Sequence, residues 1–199
     1  MKSQLLIIFT KNPILGRVKT RLAQTLGDEK ALSIFKKLLA QAAKTANDWS
    51  GDVWVFYADF LPEKDLWSPI SQQRFLQEGI GLGERMAHAF QRGLAAYDKV
   101  VLIGTDIPDI STQVINAAFE KLNEHDFVLG PTMDGGYFLV GMKSYHPYIF
   151  REMEWSTSTV LKHTLHKIHN KNHTASLLDA LVDIDYESDL VGFEWLKLV

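Results

Sequence analysis

The stretch Val100-Val101-Leu102-Ile103-Gly104-Thr105-Asp106-Ile107-Pro108 begins as a buried strand and ends in a polar turn. Its four consecutive apolar residues are typical of a parallel sheet that is covered on both faces. Pro108 cannot donate a ladder hydrogen bond, so the strand ends before it. Asp106 therefore lies just beyond a strand's carboxyl end, where open α/β sheets bind ligands. Its carboxylate suits a hard cation such as Mg²⁺, but aspartate is also a common turn residue, and both interpretations stand.

The bulk composition is that of a globular protein, with 46% hydrophobic and 23% charged residues among 199. A chain of this length buries roughly 70% of its unfolded surface, and nothing in it marks a boundary, so we predict a single domain over residues 1–199. The net charge of -3 gives no general attraction to nucleic acid. The absence of cysteine excludes disulfides, thiolate metal sites and a cysteine nucleophile.

The N-terminal apolar run, residues 5–9, is too short for a signal peptide or a membrane span. We therefore expect a cytoplasmic protein that has no membrane span and does not bind nucleic acid. The sequence leaves the oligomeric state open.

A basic loop follows the first predicted strand, Gln4 to Phe9, and precedes a helix. Its four cations are Lys11, Arg17, Lys19 and Arg21. Gly16 lets the backbone turn closely, and arginine and lysine are the usual partners of phosphate, so the loop suits a nucleotide's phosphates. The alternative is a solvated basic loop, since the spacing matches neither the Walker A nor the Gly-x-Gly-x-x-Gly pattern.

The rest of the chain alternates strand and helix patterns. A helix is predicted over 28–48, a strand over 53–58, a loop over 61–71, a glycine loop over 79–83, a helix with Met86, Ala89, Phe90, Leu94 and Tyr97 on its buried side, a helix capped by Ser111, a strand over 126–131, a turn over 132–136 and a returning strand over 137–141. This order indicates an α/β sheet that is mainly parallel, with one antiparallel strand.

Several stretches together resemble one known family. They are Phe9–Leu22, Gly79–Met86, Ile103–Pro108, Gly130–Gly141, Trp155–Thr157 and Asp183–Asp185. In this order they are similar to bacterial glycosyltransferase-like proteins, formerly a domain of unknown function, that have the nucleotide-diphospho-sugar transferase (GT-A) fold. The phospholactate guanylyltransferases are similar too. The resemblance implies a three-layer α/β/α sandwich with a Rossmann-like, mostly parallel mixed sheet.

The resemblance also implies an enzyme, a transferase. The leading expectation is a glycosyltransferase that takes a nucleotide-diphospho-sugar, a small-molecule acceptor and Mg²⁺ or Mn²⁺. The first alternative is a nucleotidyltransferase that joins a nucleoside triphosphate to a phosphorylated small acid or sugar and releases pyrophosphate. The second is a nucleotide-binding module without catalysis. The fold alone does not decide among them.

The resemblance also implies which residues of this chain are functional, motif by motif. The catalytic candidates are Asp106, Lys19 and Arg21, and the nucleotide-binding candidates are Thr10, Lys11, Gly16, Arg17, Lys19, Arg21, Gly81 and Gly83. Asp106 takes the metal position of the Asp-x-Asp motif, although this chain has one acid there where that motif has two. Related nucleotidyltransferases bring in a second, separated acid, and Asp183 is the candidate. In an extended chain, side chains two residues apart point to the same side, so Asp183 and Asp185 should do so. Asp185 is expected to cap a helix.

The acceptor or sugar is expected near Asp134, Gly135, Gly136 and Trp155. Asp134 could instead close an Asx-turn, and Trp155 could belong to the core. Ser156 and Thr157 are predicted to cap a helix through Leu165. Four histidines, His163, His166, His169 and His173, lack an accompanying acid motif and are expected to form a solvated helix face that binds no functional metal.

Overall fold

The computed structural model describes residues 2–198 and contains one seven-stranded sheet. The strands are β1 (Lys2–Thr10), β2 (Asp52–Tyr57), β3 (Gln73–Leu76), β4 (Tyr97–Ile103), β5 (Phe127–Pro131), β6 (Tyr137–Met142) and β7 (Ala175–Leu177). The helices are α1 (Thr20–Leu26), α2 (Asp28–Asp48), α3 (Leu82–Leu94), α4 (Thr112–Glu124), α5 (Val160–Asn170) and α6 (Glu194–Lys197), with short 3-10 helices at Pro147–Phe150 and Glu187–Leu190. The order across the sheet is β3-β2-β1-β4-β6-β5-β7.

Side-chain alternation along the strands divides the core into two layers. Leu5 and Ile7 of β1 point to one face, which α3 and α5 cover. Leu6 and Ile8 point to the other face, which α2 and α4 cover. The apolar runs that the sequence shows are therefore strands buried on both sides. The predicted three-layer α/β/α sandwich is confirmed, and β6 is its predicted antiparallel member, paired with β4 and β5.

The strand order changes direction beside β1. The chain runs outward from β1 to β2 and β3, and then α3 returns it to the other side of β1 as β4. Such a topological switch point opens a crevice at the carboxyl ends of the two parallel strands. Because β6 is antiparallel, the turn at 132–136 that joins β5 to β6 lies at this same edge. No helix within residues 2–198 is long and apolar enough to cross a membrane.

Several predicted elements are confirmed. The helix over 28–48 has the predicted bounds, and the hydroxyl of Ser111 accepts a hydrogen bond from the amide of Val114, 3.4 Å away, at the start of α4. The central strand ends before Gly104 as predicted, because β4 stops at Ile103.

Other predictions are wrong in detail. Tyr97 opens β4 instead of closing α3, and Gly83 belongs to the first turn of α3 instead of the loop. Helix α5 begins at Val160 after Thr159, so Ser156 and Thr157 do not cap it. Residues 181–185, whose alternating acids suggest an extended strand, contribute one isolated bridge, from Leu181 to Thr132, and no strand. Strands β3 and β7 were not predicted, because they carry no long apolar run and are only partly buried.

Candidate active site

A cavity of about 610 Å³ opens at the switch point, over the ends of β1 and β4. Among the candidate residues it is lined by Thr10, Lys11, Lys19, Arg21, Asp106, Asp134, Gly136, Trp155 and Asp183. The other candidates, Gly16, Arg17, Gly81, Gly83 and Gly135, are not part of its wall. The structure therefore brings together most of the charged candidates, and leaves most of the glycines to shape the loops around them.

An acid–lysine cluster, formed by Lys19, Arg21, Asp106 and Asp185, lies at one end of the cavity. The Nζ atom of Lys19 lies 2.6 Å from Oδ1 of Asp106 and 3.2 Å from Oδ1 of Asp185. Arg21 donates from Nη1 to Oδ2 of Asp185 at 3.0 Å. Burial alone would lower the pKa of Lys19, but the two carboxylates raise it above its usual value, so the ammonium stays charged.

The backbone of Lys19 turns its side chain into the cavity. Lys19 has φ 48° and ψ 44°, the left-handed conformation that residues other than glycine seldom adopt. Its side chain is only 4% exposed. Val18 and Leu22, on either side, are anchored in separate apolar clusters. Those anchors hold the strained turn, and such strain is typical of functional sites.

The segment 183–185 is fixed against the β4 turn. The amide of Ile184 donates to the carbonyl of Asp106 at 3.1 Å, and the Ile184 side chain is fully buried against α1 and α2. Asp183 and Asp185, on either side of it, both line the cavity, which confirms the predicted alternation. The prediction that Asp185 caps a helix is wrong. Its own amide donates at 3.0 Å to Asp189, and its carboxylate pairs with Lys19 and Arg21.

The surroundings of Asp183 disfavour the ionised form of its carboxyl group. Burial and the neighbouring carboxylates, Asp134 first, raise the pKa of Asp183 to about 6. A cation bound between these acids would relieve that repulsion. Among the described residues no cluster of three or more acidic or histidine side chains has the geometry of a complete metal cage. Mg²⁺ typically uses only one or two carboxylates and completes its shell with water and phosphate, and both Asp106 and Asp183 line the cavity.

The turn at 132–136 is held by its own aspartate. Asp134 Oδ1 accepts from the hydroxyl of Thr132 at 2.5 Å and from the amide of Gly136 at 3.0 Å. This is the Asx-turn arrangement. Gly135 has φ 91°, and a Cβ there would lie 2.1 Å from the carbonyl oxygen of Ser158. Asp134 therefore has a clear structural role, while its carboxylate also faces the cavity.

Trp155 belongs to both the core and the cavity wall. It is half-buried, packs on the core layer under α3, and meets the ring of Tyr137 edge-on at 6.3 Å. The histidines behave differently from one another. His163, His166 and His169 are exposed on α5, whereas His173 lies beyond the helix end and packs against His146. The expectation that they bind no metal stays a prediction.

Among the lining residues that the sequence did not single out as site candidates are two charged side chains and one amide: Arg85, Asp185 and Gln77. Asp185 was considered only as a helix cap, since nothing local links it to Lys19, 166 positions away. Gln77 and Arg85 flank the glycine loop, and a polar side chain on each side of a glycine turn was the available signal.

The comparisons with known proteins define the class first. A protein from Desulfovibrio desulfuricans G20, assigned provisionally as a nucleotide-diphospho-sugar transferase, is 29% identical over 96% of this chain and 85% of its own, with a TM-score of 0.88. The 2-C-methyl-D-erythritol 4-phosphate cytidylyltransferase of Thermus thermophilus has the same fold, with 16% identity over the whole of both chains and a TM-score of 0.57. The fold is thus that of nucleotide-diphospho-sugar transferases and nucleotidyltransferases.

The family follows from the sequence profile. Residues 39–157 match the family described as "Uncharacterized protein conserved in bacteria (DUF2064)", and the chain belongs to that family. The Rv0371c protein of Mycobacterium tuberculosis, solved in complex with manganese, also shares the fold, with 12% identity over 98% of both chains and a TM-score of 0.54. No curated protein matches the sequence.

Proposed function

We propose that the protein is a nucleotide-dependent transferase that uses a divalent cation and takes a nucleotide-diphospho-sugar as its donor. The observation that carries the proposal is the acid–lysine cluster, which combines carboxylates for a cation with donors for phosphate at a topological switch point. The similarity to the Desulfovibrio protein supports the sugar donor, and the manganese complex of the Rv0371c protein supports the cation.

In the proposed reaction an acceptor hydroxyl attacks the sugar's anomeric carbon and loses its proton to water, while the bond from that carbon to the diphosphate breaks and the nucleoside diphosphate leaves. Negative charge then develops on the leaving phosphate. Lys19 and Arg21 donate to its oxygens and offset that charge, and Asp106 and Asp183 hold the cation. The cation, when bound, polarises the phosphate as a Lewis acid. The wall formed by Asp134, Gly136 and Trp155 is the proposed acceptor or sugar side.

A nucleotidyltransferase is the second candidate. One observation favours it: Asp106 and Asp183 come from separate segments that are joined through the Ile184 amide, instead of from an Asp-x-Asp pair. Labelled substrates separate the possibilities. Sugar transfer releases a nucleoside diphosphate, nucleotidyl transfer releases pyrophosphate, and a binding module returns its nucleotide unchanged. We expect the first outcome with Mg²⁺ or Mn²⁺ present, and release of pyrophosphate would replace the sugar-donor proposal with the second candidate.

The metal role of Asp106 gives the first test. Asp106→Asn keeps the shape and removes the charge, so we expect it to abolish the Mg²⁺-dependent gain in nucleotide affinity, on the order of tenfold or more for one charged interaction. Calorimetric titration of nucleotide with and without Mg²⁺ measures that gain. The matched control is Asp109→Asn, an exposed acid of the same loop. An Mg²⁺ gain in Asp106→Asn equal to that of the unmutated protein would remove Asp106 from the site.

A further inference from the structure

The acidic and basic side chains that line the cavity are unevenly distributed along it. Its four acids, Asp106, Asp134, Asp183 and Asp185, belong to the end near β4 and the β5–β6 turn. The other end lies over β2 and β3, where Arg85 of α3 lines the wall. Within residues 2–198 no carboxylate forms an ion pair with Arg85, whereas the cations of the acid–lysine cluster are paired with its carboxylates. Arg85 is thus a cation held in the cavity without a protein anion.

The guanidinium of Arg85 is held in a defined orientation. Its Nε donates to the carbonyl of Gly79 at 3.2 Å, and Nη1 donates to Oε1 of Gln77 at 3.4 Å. The Gln77 amide is itself oriented, because Nε2 donates to the carbonyls of Phe56 at 3.1 Å and Thr10 at 3.4 Å. Only one orientation of that amide gives donors to both carbonyls and an acceptor to Arg85.

Gly79 completes this arrangement. It has φ 125°, and a Cβ there would lie 2.6 Å from Cβ of Glu84 and 3.0 Å from the amide of Arg85. The loop can therefore fold back onto α3 and aim its carbonyl at Arg85 only with glycine at this position. The conformation of the loop at Gly79 thus helps to fix the orientation of the Arg85 guanidinium.

A donor edge remains for a ligand. A guanidinium has five N–H groups, and two of those of Arg85 are used by Gly79 and Gln77. The remaining ones can only donate. The same cavity wall includes the apolar residues Phe9, Leu82 and Met86. An apolar wall beside a donor edge suits a flat heterocycle that presents acceptors, and suits a phosphate less.

The dimensions agree with a nucleotide that spans both ends. Strands β3 and β4 are three positions apart in the sheet, which is roughly 14 Å at the usual strand spacing. A nucleotide whose phosphates lie at the acid–lysine cluster extends its base toward β2 and β3, where Arg85 lies.

We propose that Arg85 is a specificity-determining residue that selects a nucleobase with two adjacent acceptor atoms, and that Gln77 is its positioning residue. Guanine offers N7 and O6, and cytosine offers O2 and N3, to the arginine fork, whereas adenine presents a donor beside N7. The site would therefore select a nucleotide substrate with guanine or cytosine as its base and would bind adenine nucleotides less tightly. This inference rests on the proposed function, because it takes the phosphates to bind at the other end.

Competitive binding of GTP, CTP and ATP with Mg²⁺ tests the inference. We expect the unmutated protein to bind GTP or CTP roughly tenfold or more tightly than ATP, as one bidentate arginine contact provides. Arg85→Met and Arg85→Lys should reduce that preference to about twofold or less, because they weaken the binding of GTP or CTP more than that of ATP, while nucleotide binding stays dependent on Mg²⁺. Gln77→Met should reduce the preference in the same direction. Arg92→Met, on the same helix but outside this cavity, should leave it intact.

The outcomes are distinguishable. Nucleotide binding that depends on Mg²⁺ and Asp106, but shows no preference over ATP or a preference that survives Arg85→Met, overturns the Arg85 inference and leaves the proposed function standing. Failure to bind any nucleotide overturns both. A melting curve for each variant verifies that it is folded, and Arg85→Lys keeps the charge if Arg85→Met does not fold.

Discussion

At the scale of single residues, Lys19 is the side chain that links structure to function most directly. Its buried ammonium lies between the carboxylates of Asp106 and Asp185, at the position where a divalent cation would be attracted. Lys19 therefore compensates the charge of these two acids. Under the proposed function a bound cation would take over that role and free the ammonium to donate to a phosphate. Metal and nucleotide binding should accordingly be coupled through this one residue.

This coupling predicts the behaviour of Lys19→Met. Without the ammonium, we expect the empty protein to bind Mn²⁺ at least roughly tenfold more tightly, because unit charges about 4 Å apart near a surface interact by about 4 kcal/mol. Nucleotide affinity should fall in the same variant. Calorimetric titration of Mn²⁺ into the nucleotide-free proteins measures the first effect. Arg21→Met is the control, since Arg21 is 47% exposed and, within residues 2–198, its ion pair is with Asp185 and not with Asp106, so its effect should be smaller. Unchanged or weaker Mn²⁺ binding by Lys19→Met would refute the coupling.

At the scale of elements, the glycines of the 79–83 loop separate into different structural roles. A Cβ on Gly83 would lie 2.5 Å from the carbonyl oxygen of Phe150 and 3.0 Å from Nε1 of Trp155. Gly83 thus allows the first turn of α3 to pack against the chain before α5. A Cβ on Gly81 would meet nothing within 4 Å. The alternating glycines are therefore explained by packing at Gly83 and by the loop's turn at Gly79.

The packing role predicts that Gly83→Ala costs about 1–3 kcal/mol in free energy of unfolding, the usual penalty of overpacking. Gly81→Ala should change it by less than about 0.5 kcal/mol, as surface substitutions do. Urea denaturation of both variants measures the difference. If Gly83→Ala were as stable as the unmutated protein but bound nucleotide poorly, Gly83 would be a ligand contact and the packing explanation would be wrong.

The elements that could be predicted from the sequence are those whose pattern is local. β1, β2, β4, β5 and β6 are buried on both faces and appear as apolar runs, and α2 appears as a long periodic stripe. β3 and β7 each pair with one neighbour at the sheet edges, so nothing requires their residues to be continuously apolar. The candidate site divides in the same way. Asp106 and the basic loop follow strands, whereas the Lys19–Asp185 contact joins distant segments that no local pattern relates.

At the scale of the whole molecule, a second titratable cluster lies at the start of β5, at the end of the sheet away from the cavity. The rings of His146 and His173 are 4.3 Å apart, and His173 shares a 2.9 Å hydrogen bond with the hydroxyl of Tyr148. Asp126, which is near Lys143, faces the same group. Burial first, and then His173, lower the pKa of His146, although Asp126 opposes them. Protonation of His146 is therefore disfavoured in the folded chain.

Global stability should consequently depend on pH through His146. Its pKa in the folded state lies below the value near 6.5 of an unfolded chain, so the unfolded state binds more protons as the pH falls below about 6.5. The stability from neutral His146 is thus fully present above that pH and is lost as the pH falls through the lower folded pKa. We expect His146→Gln to lose less free energy of unfolding than the unmutated protein between pH 7 and pH 5.

Urea unfolding at several pH values measures this difference. The raised pKa of Asp183 contributes with the opposite sign, but it is common to both proteins and cancels when they are compared at each pH. His163→Gln, an exposed histidine on α5, is the matched control and should follow the unmutated protein. Because the cluster lies at the end of the sheet away from the cavity, nucleotide affinity at neutral pH should be the same in all three proteins. If the free energy of unfolding depended on pH in the same way in His146→Gln and the unmutated protein, protonation of His146 would not be coupled to unfolding.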